Sequence, residues 1–577
     1  MEEIELIVVG AILLVVGTAI LAGRIGIAAP LLLSVLGVAI GYLPFVPIIE
    51  VEPEIILLVV LPPLLYAAAV NLPLVDFQRN LRPIAGLSVV LVIISAVVIG
   101  VLVNLLVPAI PLPVAIALGA VVSPTDAVAA TSIGKKLGMP RRLVAILEGE
   151  SLVNDATSLV LLKAALAAVA SSFTFWSAAG SFSYAVAAAI LIGLVVGVIT
   201  VWIRSKLANP VHDTVISFTV PFVAFVPAEH AGASGVLAVV VTGLYAGHHS
   251  ATRFSAHARL NERLNWRTVQ FVVENGVFLL MGLQLHGLVE EVVDSHWDLS
   301  YVVWLGLLVV GALIALRALF AVPLLLYMRG AARRYVGRSW ALSRGADRAR
   351  QGGSRSAARV ERLEALQRRS EADLEHEQEQ GLGWREGVAL SWAGMRGVVT
   401  LAAAQSIPHE VPDRAQVVLI AFIVAITTLL LHGLTLPAII RRLWTVDATD
   451  AGVRGLAALS ADIVKAGNEA LDEEIAVEQA DPTRPELDSA LIERVRAGGK
   501  NALASLALSP THSASHTPGE ESPAHAFVRL STVVLQGQRD ALLEERAIGR
   551  YDSEILRQVG IALDVYEARL EPPSADH

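Results

Sequence analysis

Residues 147–160 read LEGESLVNDATSLV. Glu150 and Asn154 are four residues apart, and so are Ser151 and Asp155. On a helix these form two adjacent polar stripes. The flanks, RRLVAILEGE and SLVLLKAALAAVA, are apolar enough to cross a membrane. A charge at bilayer depth costs roughly 3 kcal/mol even on insertion scales, so it is paired or functional by default. Five charges stand near the middle of apolar stretches: Asp126, Glu150, Asp155, Arg317 and Arg396. Pairing Asp126 with Arg396 and Glu150 with Arg317 leaves both pairs neutral and Asp155 over. A lone carboxylate in such a cavity can hold a proton or exchange it for a small cation. Ser151, Thr125 and backbone carbonyls would complete an oxygen shell that suits a hard cation. Asp155, Ser151 and Thr125 are therefore the candidate cation ligands, and Asn154 is their polar support. Glu148, nearer the helix end, would line an entry funnel or sit at the interface.

Apolar spans must position these residues. The chain has 577 residues, 55% of them hydrophobic and 17% charged, with a mean hydropathy of +0.63. A soluble domain of this size needs more polar surface, so the composition reads as a polytopic membrane protein. Cysteine is absent, which excludes disulfides and thiolate metal sites. The start, MEEIELIVVG, lacks a basic segment and reads as a retained first span. Thirteen spans are predicted, near 5–22, 27–43, 55–71, 84–107, 112–133, 143–170, 180–203, 213–228, 232–248, 267–286, 299–327, 386–407 and 413–440.

Arginines and lysines fall on alternate loops, from Arg24 and Arg79 through Lys135, Arg204, Lys206 and Arg253 to Arg441 and Arg442. The other loops are nearly bare, with Arg414 as the exception. The positive-inside rule then puts the N-terminus outside and the C-terminus in the cytoplasm. Residues 329–385 form a polar insertion between spans 11 and 12, with helix-forming composition at 356–379. Residues 441–577 form a tail, with a Ser/Pro/His-rich stretch at 509–525 expected to be disordered. Two helices, broken near Gly549, follow that stretch.

Spans 5 and 12 carry breakers. VVSPTDAVAATSIGKK contains Pro124, and SWAGMRGVVTLAAA contains Gly394 and Gly397 around Arg396. Broken helices at matching positions in two halves of a chain mark inverted-repeat secondary transporters, which bind their cargo at the midplane. The expected fold is an all-α polytopic membrane protein of about 13 helices. It would have inverted repeats, two broken crossing helices, and a helical loop and tail.

Four stretches, VVSPTDAVAAT, LEGESLVNDA, AEHAGASGVLAVVVTGL and SWAGMRGVVTLAAA, resemble bacterial sodium/proton antiporters of the monovalent cation:proton antiporter-1 family. The resemblance covers about residues 5–440. It implies a plasma-membrane homodimer in which spans 4–6 and 11–13 form a mobile core against a scaffold of the remaining spans. It makes Asp155 the ion-binding aspartate, with Ser151 and Thr125 as partners. It also makes Asp126 with Arg396 and Glu150 with Arg317 and Asn154 the supporting groups. The Asn154-Asp155 form implies electroneutral exchange of one sodium or lithium ion for one proton, in the service of pH homeostasis. Ala67 stands where many members have an acid, and Ala127 where many have proline. No cofactor or nucleic-acid partner is expected. The partners are lipid, a second copy, and a regulatory contact made by the tail.

Two alternatives stand beside this reading. One is a potassium/proton or broad monovalent-cation antiporter. The other, from a different class, is an intramembrane aspartyl protease using Asp126 and Asp155 as a dyad.

Overall fold

A computed structural model describes the chain except for residues 1, 26–27, 45, 47–51, 53–54, 171–174, 208, 296, 352–365, 367–381, 409, 445–447, 481–487, 505–522 and 571–577. The described residues form helices joined by turns and short unwound segments, without strands. Apart from residue 366, the expected helix at 356–379 lies outside the described residues, and so do residues 509–522 of the Ser/Pro/His-rich stretch.

The membrane unit comprises residues 1–253, 262–330 and 382–446. Each of the thirteen predicted spans coincides with a helix or a pair of helices. They are α1 (Glu2–Ile25), α2 (Ala29–Gly41), α3 (Leu61–Asn71), α4 (Leu91–Leu106), the broken pair α5 (Leu112–Val122) and α6 (Val128–Lys136), and α7 (Arg141–Ala170). There follow α8 (Phe175–Arg204), α9 (Pro210–His230), α10 (Gly235–Arg253), α11 (Ala256–Asp294), α12 (Leu299–Gln351), the broken pair α13 (Trp384–Trp392) and α14 (Val398–Gln405), and α15 (Arg414–Leu443). Among the described residues, seven helices are each long and apolar enough to cross a membrane. Proline opens α2 and α9, where its missing N–H is harmless. Asn209 caps α9 by accepting from Val211 N at 2.8 Å.

Small residues let these helices approach closely. Gly243 and Gly247 of α10 press their backbones against Tyr66, Ala69 and Val70 of α3. Gly119 of α5 lies so close to the Ala96 carbonyl of α4 that a methyl group there would clash. Ser158 of α7 donates to Ala120 O at 2.8 Å, fastening α7 to α5.

Two loop cations have structural explanations. Arg414 donates from Nε to Ile407 O at 2.7 Å and from Nη2 to Gln405 O at 3.3 Å. It thereby covers the carbonyls left free where α14 ends, and this accounts for a positive charge on the otherwise bare side. Arg204, at the end of α8, is buried. It binds Asp213 at 2.7 and 2.9 Å and also pairs with Glu262.

The second unit comprises Phe254–Asn261 and the described parts of 331–381 and 447–577. Its tail helices are α16 (Ala448–Gln479), α17 (Ser489–Ala504), α18 (Pro523–Ile548) and α19 (Ser553–Leu570). Between the last two, Gly549 takes φ 73°, the left-handed conformation glycine adopts freely. Leu459, Ile463, Leu535, Val559 and Leu563 form one apolar core of this unit. Arg259 donates to Asp564 and to Glu567 of α19, and Arg539 also reaches Asp564, at 3.0 Å.

Candidate ion-exchange site

The two breaks create the site. Helix α5 stops at Val122, and Ser123-Pro124-Thr125-Asp126-Ala127 runs unwound before α6. Helix α13 stops at Trp392, and Ala393-Gly394-Met395-Arg396-Gly397 runs unwound before α14. Proline removes a donor from one strand, and the glycines free the other from helical geometry. Each break leaves helix-end N–H and C=O groups without intrahelical partners.

The two strands satisfy one another through the main chain. Asp126 N donates to Met395 O at 2.7 Å. Arg396 donates from Nε to Val122 O at 2.9 Å and from Nη1 to Gly394 O at 2.5 Å. Arg396 thus serves carbonyls of both broken spans, in place of the expected carboxylate pairing with Asp126. The Asp126 side chain packs against Gly397, at a spot a Cβ would occupy.

Helix α7 passes beside the crossing. Arg317 of α12 donates from Nη1 and Nη2 to the two oxygens of Glu150, at 2.5 and 2.8 Å. Its Nε donates to Leu390 O of α13 at 2.8 Å. One guanidinium therefore links three spans. Thr125 Oγ1 donates to Glu150 Oε1 at 2.8 Å and accepts from Asn154 Nδ2 at 3.0 Å. Asn154 Nδ2 also reaches Thr125 O at 3.2 Å. Thr125 and Asn154 thus tie α7 to the unwound strand of span 5.

Asp155 follows Asn154 at the midpoint of the 30-residue helix α7, and its residue is only 8% exposed. Asp155 makes no hydrogen bond or ion pair with the described residues, although the charge of Asp126 acts on it. Asn154 Oδ1 beside it is buried without a hydrogen-bond partner among the described residues, as is Thr400 Oγ1 on α14. Ser151, one turn before Asp155, is half-buried. The available oxygens are therefore the Asp155 carboxylate, Asn154 Oδ1 and Ser151 Oγ. Thr125 Oγ1 already has two neighbours, and Ala67 is wholly buried.

Several further residues find definite places. Glu148 pairs with Lys135 at 2.6 Å. Glu229 caps α10 by accepting from Gly235 N at 2.9 Å, and it also pairs with Lys163. His249 bonds Tyr245 O one turn back, at 2.9 Å. A sixth mid-membrane charge escapes the sequence inventory of five. Glu274 of α11 is 7% exposed, hydrogen-bonds Gln270 and lies within the field of Asp126. Its signal was legible as an acid inside an apolar span, VVENGV.

The comparisons identify the family and the fold. Residues 10–442 match the profile of the transmembrane sodium/hydrogen exchangers. An uncharacterized Na+/H+ exchanger of Mycobacterium tuberculosis H37Rv is 29% identical over 568 residues, covering 97% of this chain and 95% of the relative. The uncharacterized Na+/H+ exchanger YjcE of Escherichia coli K12 is 29% identical over 94% of each chain. A sodium, potassium, lithium and rubidium/H+ antiporter of Bacillus pumilus is 28% identical, over 71% of this chain and 57% of its own. Among solved structures, the sodium proton antiporter MjNhaP1 of Methanocaldococcus jannaschii shares the fold. Its TM-score is 0.55 at 18% identity, over 77% of this chain and 99% of that one. These findings overturn the protease alternative, because the family members are transporters and not enzymes. The chain belongs to the sodium/hydrogen exchanger family and is a multi-pass membrane antiporter.

Proposed function

We propose that the protein exchanges one sodium ion for one proton at Asp155, by alternating access. The carrying observation is that Asp155 sits buried at mid-span with no arginine or lysine paired to it among the described residues, while Glu150 is neutralised by Arg317. A carboxylate without a fixed counter-charge needs a mobile one, either a proton or a cation. Asn154 Oδ1 and Ser151 Oγ extend the oxygen shell, and Thr125 adds a third ligand if its bond to Asn154 loosens. Asn154, in the place of a second acid, leaves one exchangeable charge per cycle, so the exchange is electroneutral.

Lithium is a second substrate of the same oxygen shell. The name of the Bacillus pumilus relative supports a broader reading that includes potassium, and the methyl group of Ala67 offers no charge to discriminate. The protein works as a homodimer in the plasma membrane, N-terminus outside, with spans 4–6 and 11–13 as the moving core. Its role is pH homeostasis, and the tail supplies regulation.

The test uses proteoliposomes under an imposed pH gradient, with sodium, lithium or potassium added and internal pH followed. Asp155→Asn runs beside the wild type. Collapse of the gradient by sodium without a membrane voltage, and a silent variant, support the reading. Exchange by Asp155→Asn would refute it.

A further inference from the structure

Contacts that are hard to break lie inside one group of spans or the other. The buried pair Glu150–Arg317 joins α7 and α12, both in the proposed moving core. The buried cluster of Arg204, Asp213 and Glu262 joins α8, α9 and α11, all outside it. Close glycine contacts divide in the same way. Gly119 of α5 presses on Ala96 of α4 within the core, and Gly37 of α2 presses on Gly282 of α11 outside it. Gly433 of the core helix α15 meets α2 through the flexible side chain of Leu31.

Three polar contacts do join the two groups, and they share one end of the bundle, beside the loops poor in basic residues. Lys163 of α7 pairs with Glu229 at the end of α9. Gln405, the last residue of α14, donates from Nε2 to Gln284 Oε1 of α11 at 3.2 Å. Gln416, in the first turn of α15, donates from Nε2 to Ser295 Oγ, just past the end of α11, at 2.6 Å. All three glutamines are buried. Arg414 steadies this seam, because its Nη2 donates to the Gln405 carbonyl. Lys163 stands two turns beyond Asp155 on α7, about 12 Å along the axis.

These three contacts are of a kind that parts easily. Neutral amide and hydroxyl groups exchange a hydrogen bond with one another for bonds with water once water enters, at little net cost. The Lys163 side chain is 54% exposed, so water already screens its pair with Glu229. Parting Glu150 from Arg317 would instead strand a buried charge. Contacts that resist opening thus hold each group together, and contacts that water can replace run between the groups.

We infer that Lys163–Glu229, Gln284–Gln405 and Ser295–Gln416 form the outer gate of the exchanger, closed in this structure and parted each time Asp155 turns to the outside. This rests on the reading of Asp155 as the exchange site, of spans 4–6 and 11–13 as the moving core, and of the N-terminus as outside. No covalent step is involved. Each gate side chain trades its partner for water and takes it back when the cycle returns.

The chain has no cysteine, so paired cysteines can be bridged without background. The experiment makes Gln284→Cys/Gln405→Cys, Ser295→Cys/Gln416→Cys and Lys163→Cys/Glu229→Cys in the full chain. Each is bridged with a short bis-methanethiosulfonate, and sodium-driven exchange is followed in proteoliposomes. Asn265→Cys/Thr214→Cys is the control, a pair outside the core whose native side chains lie 3.4 Å apart. Bridging a gate pair should lower exchange at least about tenfold, and a reductant should restore it. Bridging the control should leave exchange as it was. Sodium should still raise the unfolding temperature of the bridged protein in detergent, because the site stays open on the cytoplasmic side. Undiminished exchange by a bridged gate pair overturns the inference, and so does loss of the sodium shift or failure of the gate pairs to bridge at all. If the buried pairs do not fold, Lys163→Cys/Glu229→Cys, at the exposed position, decides alone. Asp155→Asn runs beside them. A silent Asp155→Asn with gate bridges that leave exchange untouched fells the gate and leaves the exchange site standing. An active Asp155→Asn fells the reading on which the gate rests.

Discussion

Arg317 holds both oxygens of Glu150 with its two terminal nitrogens while its third nitrogen serves the Leu390 carbonyl. A buried charge pair of this kind is strongly destabilising to break and cheap to replace whole. Glu150→Gln or Arg317→Met should each lower stability by about 3–5 kcal/mol. The double variant Glu150→Leu/Arg317→Met should recover much of that loss. Thermal unfolding of the purified protein in detergent checks the order: either single variant below the double.

The proposed competition of proton and cation for Asp155 predicts a pH dependence with a definite sign. Protonated Asp155 has no charge to offer a cation, so falling pH must weaken cation binding. The apparent sodium KM should climb up to about tenfold per pH unit on the acid side and level off on the alkaline side. Initial exchange rates across sodium concentrations between pH 6 and 9 measure it. A sodium KM that ignores pH is incompatible with a shared site.

Gly397 and Gly10 should respond to alanine with opposite signs. A methyl group at Gly397 would overlap the Asp126 side chain, whereas at Gly10 it meets nothing within 4 Å. Gly397→Ala should cost about 1–3 kcal/mol and slow exchange. Gly10→Ala, within α1, should stabilise by roughly 0.5–1 kcal/mol and leave transport alone. Unfolding midpoints and sodium-driven rates for the two variants test this.

In the tail unit, Asp564 lies between Arg259 and Arg539 and is 2% exposed. Asp564→Ala would leave two guanidinium groups without it, at a cost of about 3 kcal/mol or more. Hydrogen exchange should then quicken along α19, with protection of α4 and α5 unchanged.

Much of this was legible in the sequence because hydropathy and loop charge report directly on the membrane. The two breaks were legible as well, since proline and glycine disrupt helices whatever surrounds them. Pairing was harder to read. Opposite charges at Asp126 and Arg396 suggest a side-chain pair, yet helix ends offer free carbonyls, and those take the arginine. Arg204 counts as a loop cation by position, but Asp213 and Glu262 draw it inward. Arg414 breaks the charge rule because it closes a helix end. Glu274 was in plain view, but that no arginine among the described residues pairs with it is a tertiary fact that no local pattern encodes.

The bond from Asp126 N to Met395 O joins the two interrupted spans backbone to backbone. No exchange of side chains can delete it, short of proline at position 126. Random mutation can therefore rewrite the chemistry around the crossing without unfastening it, and a lineage can drift from one transported ion to another on an intact scaffold. The same property hides the bond from alanine scanning. Only a chemist's edit, an ester in place of that single amide, would reveal how much the crossing depends on it.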